Sequence, residues 1–123
     1  MIFDRAPEFD KDLKALQKSW PSLTNDLRVV EKVVEALYLE HDGADHGSLR
    51  KAFFDNKRAT VLSKSESGEV VKTRLDCASL GNKDIIRLIF IYYYDKQSAL
   101  FIELYSKSDK DREDTTRIKR YLR

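Results

Sequence analysis

The stretch DIIRLIFIYYY, residues 84–94, is apolar at odd and even positions alike and carries one cation, Arg87, inside it. A strand whose two alternating faces are both apolar has both faces covered, which places it inside a sheet rather than at its edge. Its neighbours carry the same signal with polar interruptions. EVVKTRLDC, 69–77, precedes it across the loop ASLGNK, and SALFIELY, 98–105, follows it across the turn DKQ. ATVLS, from 59, reads as a further strand joined to 69–77 by the turn SESG. Connections this short join antiparallel partners. Alternation along 69–77 puts Val71, Thr73 and Leu75 on one face and Val70, Lys72, Arg74 and Asp76 on the other.

Outward from this block the period changes. MIFDR is short and extended, and Pro7 sits where a first helical turn tolerates it. Phe9, Leu13 and Leu16 then share a face, predicting a helix over 8–18. SWPS interrupts it, with Trp20 as an anchor for the turn and Ser22 as a cap. Leu23, Leu27, Val30, Val33, Val34, Leu37 and Tyr38 predict a longer helix over 23–40. The apolar faces of such a hairpin need a sheet to cover. EHDGADHG, 40–47, reads as a polar loop, and 48–58 as either a helical turn or irregular chain. The tail SDKDREDTTRIKRYLR places acids early and bases late, in accord with the helix macrodipole, and predicts a short final helix with Ile118 and Leu122 as its apolar contacts. The expected fold is α+β: an N-terminal strand, a two-helix hairpin packed on a small antiparallel sheet, and a short C-terminal helix, all in one domain, 1–123.

Composition agrees with that size. The chain has 123 residues, 41% hydrophobic and 36% charged, enough for one modest core under a charged surface. The longest apolar run, Leu88 to Tyr94, is too short for a bilayer span, and the acidic start MIFDRAPEFDKD lacks the pattern of a signal peptide. A single cysteine, Cys77, offers neither a disulfide nor a metal knuckle, so a cytoplasmic protein is expected. Net charge is +2 but unevenly spread: residues 1–50 carry −3 and residues 51–123 carry +5. An acidic partner would meet the C-terminal part.

The candidate chemistry lies on the strands. Lys72 and Arg74 stand together on the face that the hairpin leaves uncovered. Arg87 needs solvent or a partner there, since burying an unpaired guanidinium is costly. Glu103 and Tyr105 alternate with core residues on the last strand, and Lys107 extends it. Two readings of these cations stay open on alternation alone: a solvated sheet face with Glu103 neutralising Arg87, or an anion site. Other signals are weaker. HDGADH, 41–46, reads as a solvated connector, Cys77 as a small buried hydrophobe, and Tyr92, Tyr93 and Tyr94 as core or interface. The sequence lacks GxSxG, HExxH, GxxxxGK[ST] and GxGxxG, which removes the common hydrolase and nucleotide-binding folds.

In order and spacing, VVKTRLD, IIRLIFIYYY and ALFIELYSKSDK with a short final helix, behind a strand and a helical hairpin, resemble the RelE/HigB-type toxins of bacterial toxin–antitoxin modules, within the RelE/ParE superfamily. The resemblance covers nearly the whole chain, with a longer middle section at 41–68. It implies a sheet face that enters the ribosomal A site and cleaves mRNA by attack of the ribose 2′-OH, with no metal or other cofactor. It implies that Lys72, Arg74, Arg87 and Lys107 hold the scissile phosphate and that Lys110 assists. The family's usual arginine after the last strand reads as Ser108 here, and its tyrosine or histidine in the final helix reads as Asp114, leaving Tyr105 or Tyr121 to stand in. Crowding among the cations would lower the Lys72 ammonium toward a usable acid or base. The implied partners are a cognate antitoxin and the ribosome with its mRNA and rRNA, no membrane, and a toxin that is itself monomeric. Two further readings remain: a ParE-like inhibitor of DNA gyrase, and a binding module without catalysis.

Overall fold

Pro7 begins the first helix with its φ already fixed, acids Glu8 and Asp10 occupy the first turn, and Phe9 and Leu13 are buried beneath it. In the computed structural model, which describes residues 1–38, 54 and 58–122, the chain runs β1 (Ile2–Arg5), α1 (Pro7–Gln17), α2 (Leu23–Tyr38), β2 (Ala59–Lys64), β3 (Gly68–Leu75), β4 (Ile86–Tyr93), β5 (Ser98–Ser106) and α3 (Thr115–Tyr121), with a 3-10 turn at Ala78–Leu80 between β3 and β4. The five strands form one sheet in the order β1-β5-β4-β3-β2. The expected α+β architecture is present, and β4 holds the central position that its two apolar faces demand. Strands β2 to β5 are antiparallel neighbours. β1 departs from an all-antiparallel sheet: it pairs parallel to β5, from Ile2 opposite Ser98 to Arg5 opposite Phe101, so the sheet is mixed.

The two faces of the sheet are covered differently. Phe9, Leu13, Leu23, Leu27 and Val34 from the hairpin pack on Val71, Leu88, Phe90, Phe101 and Leu104. On the reverse face, Val70, Ile89, Ile91, Ile102 and Tyr105 form a second cluster closed by Ile118 of α3. α3 therefore covers part of the face the hairpin leaves open. Of its two expected apolar contacts, Ile118 is buried and Leu122 is largely exposed.

β5 contains a bulge. Ile89 of β4 faces Glu103 and Phe90 faces Phe101, which leaves Ile102 as the extra residue. Ile102 packs in the reverse-face cluster. Glu103 turns to the same side, accepting from the backbone N–H of Asp114 at 2.8 Å and pairing with Lys110. Beyond the end of β1 the edge of β5 is satisfied by side chains. Leu104 N–H donates to Asp12 of α1 at 3.1 Å, while Arg117 Nη1 of α3 donates to the Ile102 carbonyl at 2.9 Å and to Asp12 at 2.7 Å. An open strand edge is thus sealed without another strand. Gly68 opens β3 because nothing larger fits: a Cβ there would stand 2.2 Å from the Tyr92 carbonyl oxygen. Among the described residues no helix is long and apolar enough to cross a membrane.

Candidate anion-binding groove

β3 and β4 place Arg74 directly opposite Arg87, and β2 and β3 place Thr60 opposite Lys72, so these side chains rise from the same face of the sheet. Where α3 stops covering that face, a groove of about 440 Å³ opens, lined by Arg58, Thr60, Leu62, Lys72, Arg74, Arg87 and Lys107 with Ala59. Five cations thus converge from the lead-in to β2, from β3 and β4, and from the exit of β5. The exit is positioned by the Lys107 N–H, which donates to the Ile85 carbonyl at 2.8 Å and carries the ladder one residue past the strand.

Three carboxylates organise the cations. Asp84, just ahead of β4, accepts from Arg74 Nη1 at 2.9 Å through Oδ2 and from Arg87 Nη1 at 3.2 Å through Oδ1. Arg87, 9% exposed, also donates to the carbonyls of Asp84 and Ile86, both at 3.1 Å. Lys72 Nζ donates to Glu113 Oε1 at 3.0 Å, and Arg58 pairs with the exposed Asp76 at 2.9 Å. The Arg87 partner is therefore Asp84 and not Glu103, whose carboxylate is spent on Lys110 and the Asp114 N–H. Lys107 has no ion-pair partner among the described residues.

The proton affinities of the groove correct the expectation that its cations depress Lys72. Burial lowers the Lys72 ammonium, but the Glu113 carboxylate and the neighbouring Tyr105 outweigh it, and the net shift is upward. Glu113 moves the other way: burial raises it, while backbone hydrogen bonding and Lys72 together bring it below the usual glutamate range. Tyr105, 4% exposed, is pushed up mainly by burial, with Lys72 close enough to oppose the shift in part. Its hydroxyl is buried and lacks a partner in hydrogen-bonding geometry among the described residues. At neutral pH Lys72 is therefore an ammonium, with Tyr105 a protonated phenol beside it.

Of the residues singled out from the sequence, Lys72, Arg74, Arg87 and Lys107 come together in the groove, with Tyr105 alongside Lys72. Lys110 does not line it; its ammonium lies 5.1 Å from the Tyr105 ring centroid and pairs with Glu103. Tyr121 is committed elsewhere, donating its hydroxyl to Glu8 of α1 at 2.5 Å. The tyrosine run is structural. Tyr92 stacks on Tyr38 with ring centroids 3.8 Å apart, the Tyr93 hydroxyl donates to the Tyr121 carbonyl at 3.3 Å, and Tyr94 donates to Glu69 at 2.8 Å. Cys77 is buried beside Ser22, with Sγ and Oγ 3.4 Å apart. HDGADH lies outside the described residues, and no metal-binding cluster of His, Cys, Asp or Glu occurs among the described ones. Sequence reasoning missed Arg58, Asp84 and Glu113. Arg58 and Asp84 flank strands rather than lie within them, and Glu113 sits in the polar tail.

Such a groove can hold an anion by several charge-assisted contacts at once: arginine offers a planar pair of donors and lysine a point charge. No family model, curated protein or solved structure matches the chain.

Proposed function

We propose that this chain is a toxin of the RelE/HigB kind, a ribosome-dependent mRNA endonuclease restrained by a cognate antitoxin. The observation that carries the reading is the convergence of Lys72, Arg74, Arg87 and Lys107 in one groove on the sheet face opposite the hairpin. The element order behind the sequence resemblance agrees with it. In the proposed reaction the ribose 2′-hydroxyl gives its proton to water as its oxygen attacks phosphorus, the bond to the 5′-oxygen breaks, and a 2′,3′-cyclic phosphate and a 5′-hydroxyl result. Arg74, Arg87 and Lys107 carry the charge that grows on the phosphorane oxygens, a preorganised contact of this type being worth about 3 to 4 kcal/mol. Lys72, held as an ammonium, donates to the leaving 5′-oxygen. The ribosome holds the 2′-oxygen in line. The antitoxin covers the groove or displaces α3.

The test is primer extension on an mRNA incubated with purified protein, with and without translating ribosomes, with Arg87→Ala beside the wild type. Cuts that need both ribosomes and Arg87 are expected. No cuts from the wild type under any condition would overturn the reading. One observation favours non-catalytic binding as a second reading: Lys72, Arg74 and Arg87 each already have a carboxylate partner. Normal growth during unrestrained expression would support it.

A further inference from the structure

Arg74 and Arg87 face each other across the β3/β4 ladder. Like charges placed directly opposite repel, and long side chains so placed would splay apart. They are held together by one carboxylate. Asp84 gives one oxygen to each guanidinium and takes the Nη1 of both, while Arg87 Nη1 is fixed further by the Asp84 and Ile86 carbonyls. Nε and Nη2 of both arginines have no acceptor among the described residues, and both side chains line the groove. Asp84 is itself held short of the strand, at the end of the loop that follows the 3-10 turn, so its carboxylate approaches the two arginines from one end.

The geometry points to Asp84 as a positioning residue: it gathers Arg74 and Arg87 into a paired donor array whose remaining N–H groups grip one phosphoryl group. This rests on the phosphate-binding reading of the groove and deepens it. Asp84 touches no substrate; it acts through the two arginines. A carboxylate that only neutralised the groove would oppose anion binding, whereas one that positions the donors assists it. The two roles predict opposite signs for the same substitution.

The experiment titrates inorganic phosphate into the full chain and follows the Nε–H resonances of Arg74 and Arg87 by NMR, for the wild type, Asp84→Asn and Asp84→Glu, with Asp95→Asn, an exposed carboxylate in the β4–β5 turn, as a charge-matched control. In the wild type both resonances should shift together with one dissociation constant. Asp84→Asn should weaken phosphate binding by about tenfold, the equivalent of losing one charge-assisted contact, despite the added positive charge. Asp84→Glu should recover part of it, and Asp95→Asn should leave binding unchanged or tighter. Unchanged or tighter binding in Asp84→Asn would overturn the inference, as would the absence of phosphate shifts at both arginines in the wild type. Backbone amide spectra of the variants guard against misfolding: if Asp84→Asn is unfolded, weaker phosphate binding in a folded Asp84→Ser supports the inference and unchanged or tighter binding overturns it. Ribosomal cleavage is a separate readout. Phosphate binding of the expected pattern without mRNA cleavage would leave the role of Asp84 standing and remove the nuclease reading.

Discussion

Tyr105 buries a hydroxyl that has no partner in hydrogen-bonding geometry among the described residues, although the Lys72 ammonium lies near it. Deleting it takes away a desolvation penalty, so Tyr105→Phe should melt at or above the wild-type temperature by circular dichroism. On the proposed nuclease reading, if the phenol also shares in proton transfer, the same variant should cleave mRNA more slowly while folding as well or better. Glu113 gives a second prediction. Because it raises the Lys72 ammonium, Glu113→Gln should lower the Lys72 pKa, read from its Nζ-bonded protons across an alkaline titration. Legibility at this scale followed periodicity. Lys72, Arg74 and Arg87 could be assigned to one face because alternation is a rigid property of strands. Arg58 and Glu113 could not, since they lie outside regular strands, where spacing carries no directional information; Asp84 falls inside the expected strand 84–94, but β4 begins only at Ile86, which frees its carboxylate from the alternation. The upward shift of Lys72 was hidden for the same reason: its cause is a carboxylate 41 positions away.

The elements themselves were legible nearly to the residue where the pattern was dense. Both N-terminal helices and the strands β3, β4 and β5 lie within two or three residues of their expected bounds over the described residues. The parallel docking of β1 was not, because four residues hold too little alternation to name a partner. Nor was the bulge, since Ile102 and Glu103 break alternation by a single residue. Two predictions belong here. Asp114 caps α3 by accepting from the Arg117 N–H at 3.0 Å, so Asp114→Ala should cost about 1 kcal/mol and lower Tm by about 4 °C. Gly68→Ala drives a methyl into the Tyr92 carbonyl of the adjoining strand, and should cost at least about 2 kcal/mol in a denaturant titration.

Across the whole molecule, α3 is fastened by carboxylates whose affinity for protons is low. Glu113 holds Lys72, Asp114 caps the helix, and Glu8 accepts from Tyr121; all three sit below their ordinary values of 4.5, 3.8 and 4.5. A carboxyl group that is more acidic folded than unfolded stabilises the fold above its unfolded pKa, and that contribution disappears as pH falls through the folded value. Stability should therefore decline on acidification below about pH 4.5, with amide protection in α3 lost first. Asp114 and Glu8 are half-buried rather than enclosed, so salt should blunt their share in part. A Glu113→Gln variant should show a shallower acid decline in Tm than the wild type.

The parallel pairing of β1 also fixes a sequence of events in synthesis. Residues 2–5 are made long before residues 98–101 of β5, the ones they pair with. Asp12 and Glu8 likewise wait for Arg117 and Tyr121. Among the described strands, β1 is the first made and waits for the last before it can pair. On the reading proposed above, the groove would stay slack until Lys107 itself had been translated, so the site could grip nothing while its own strands were still being made.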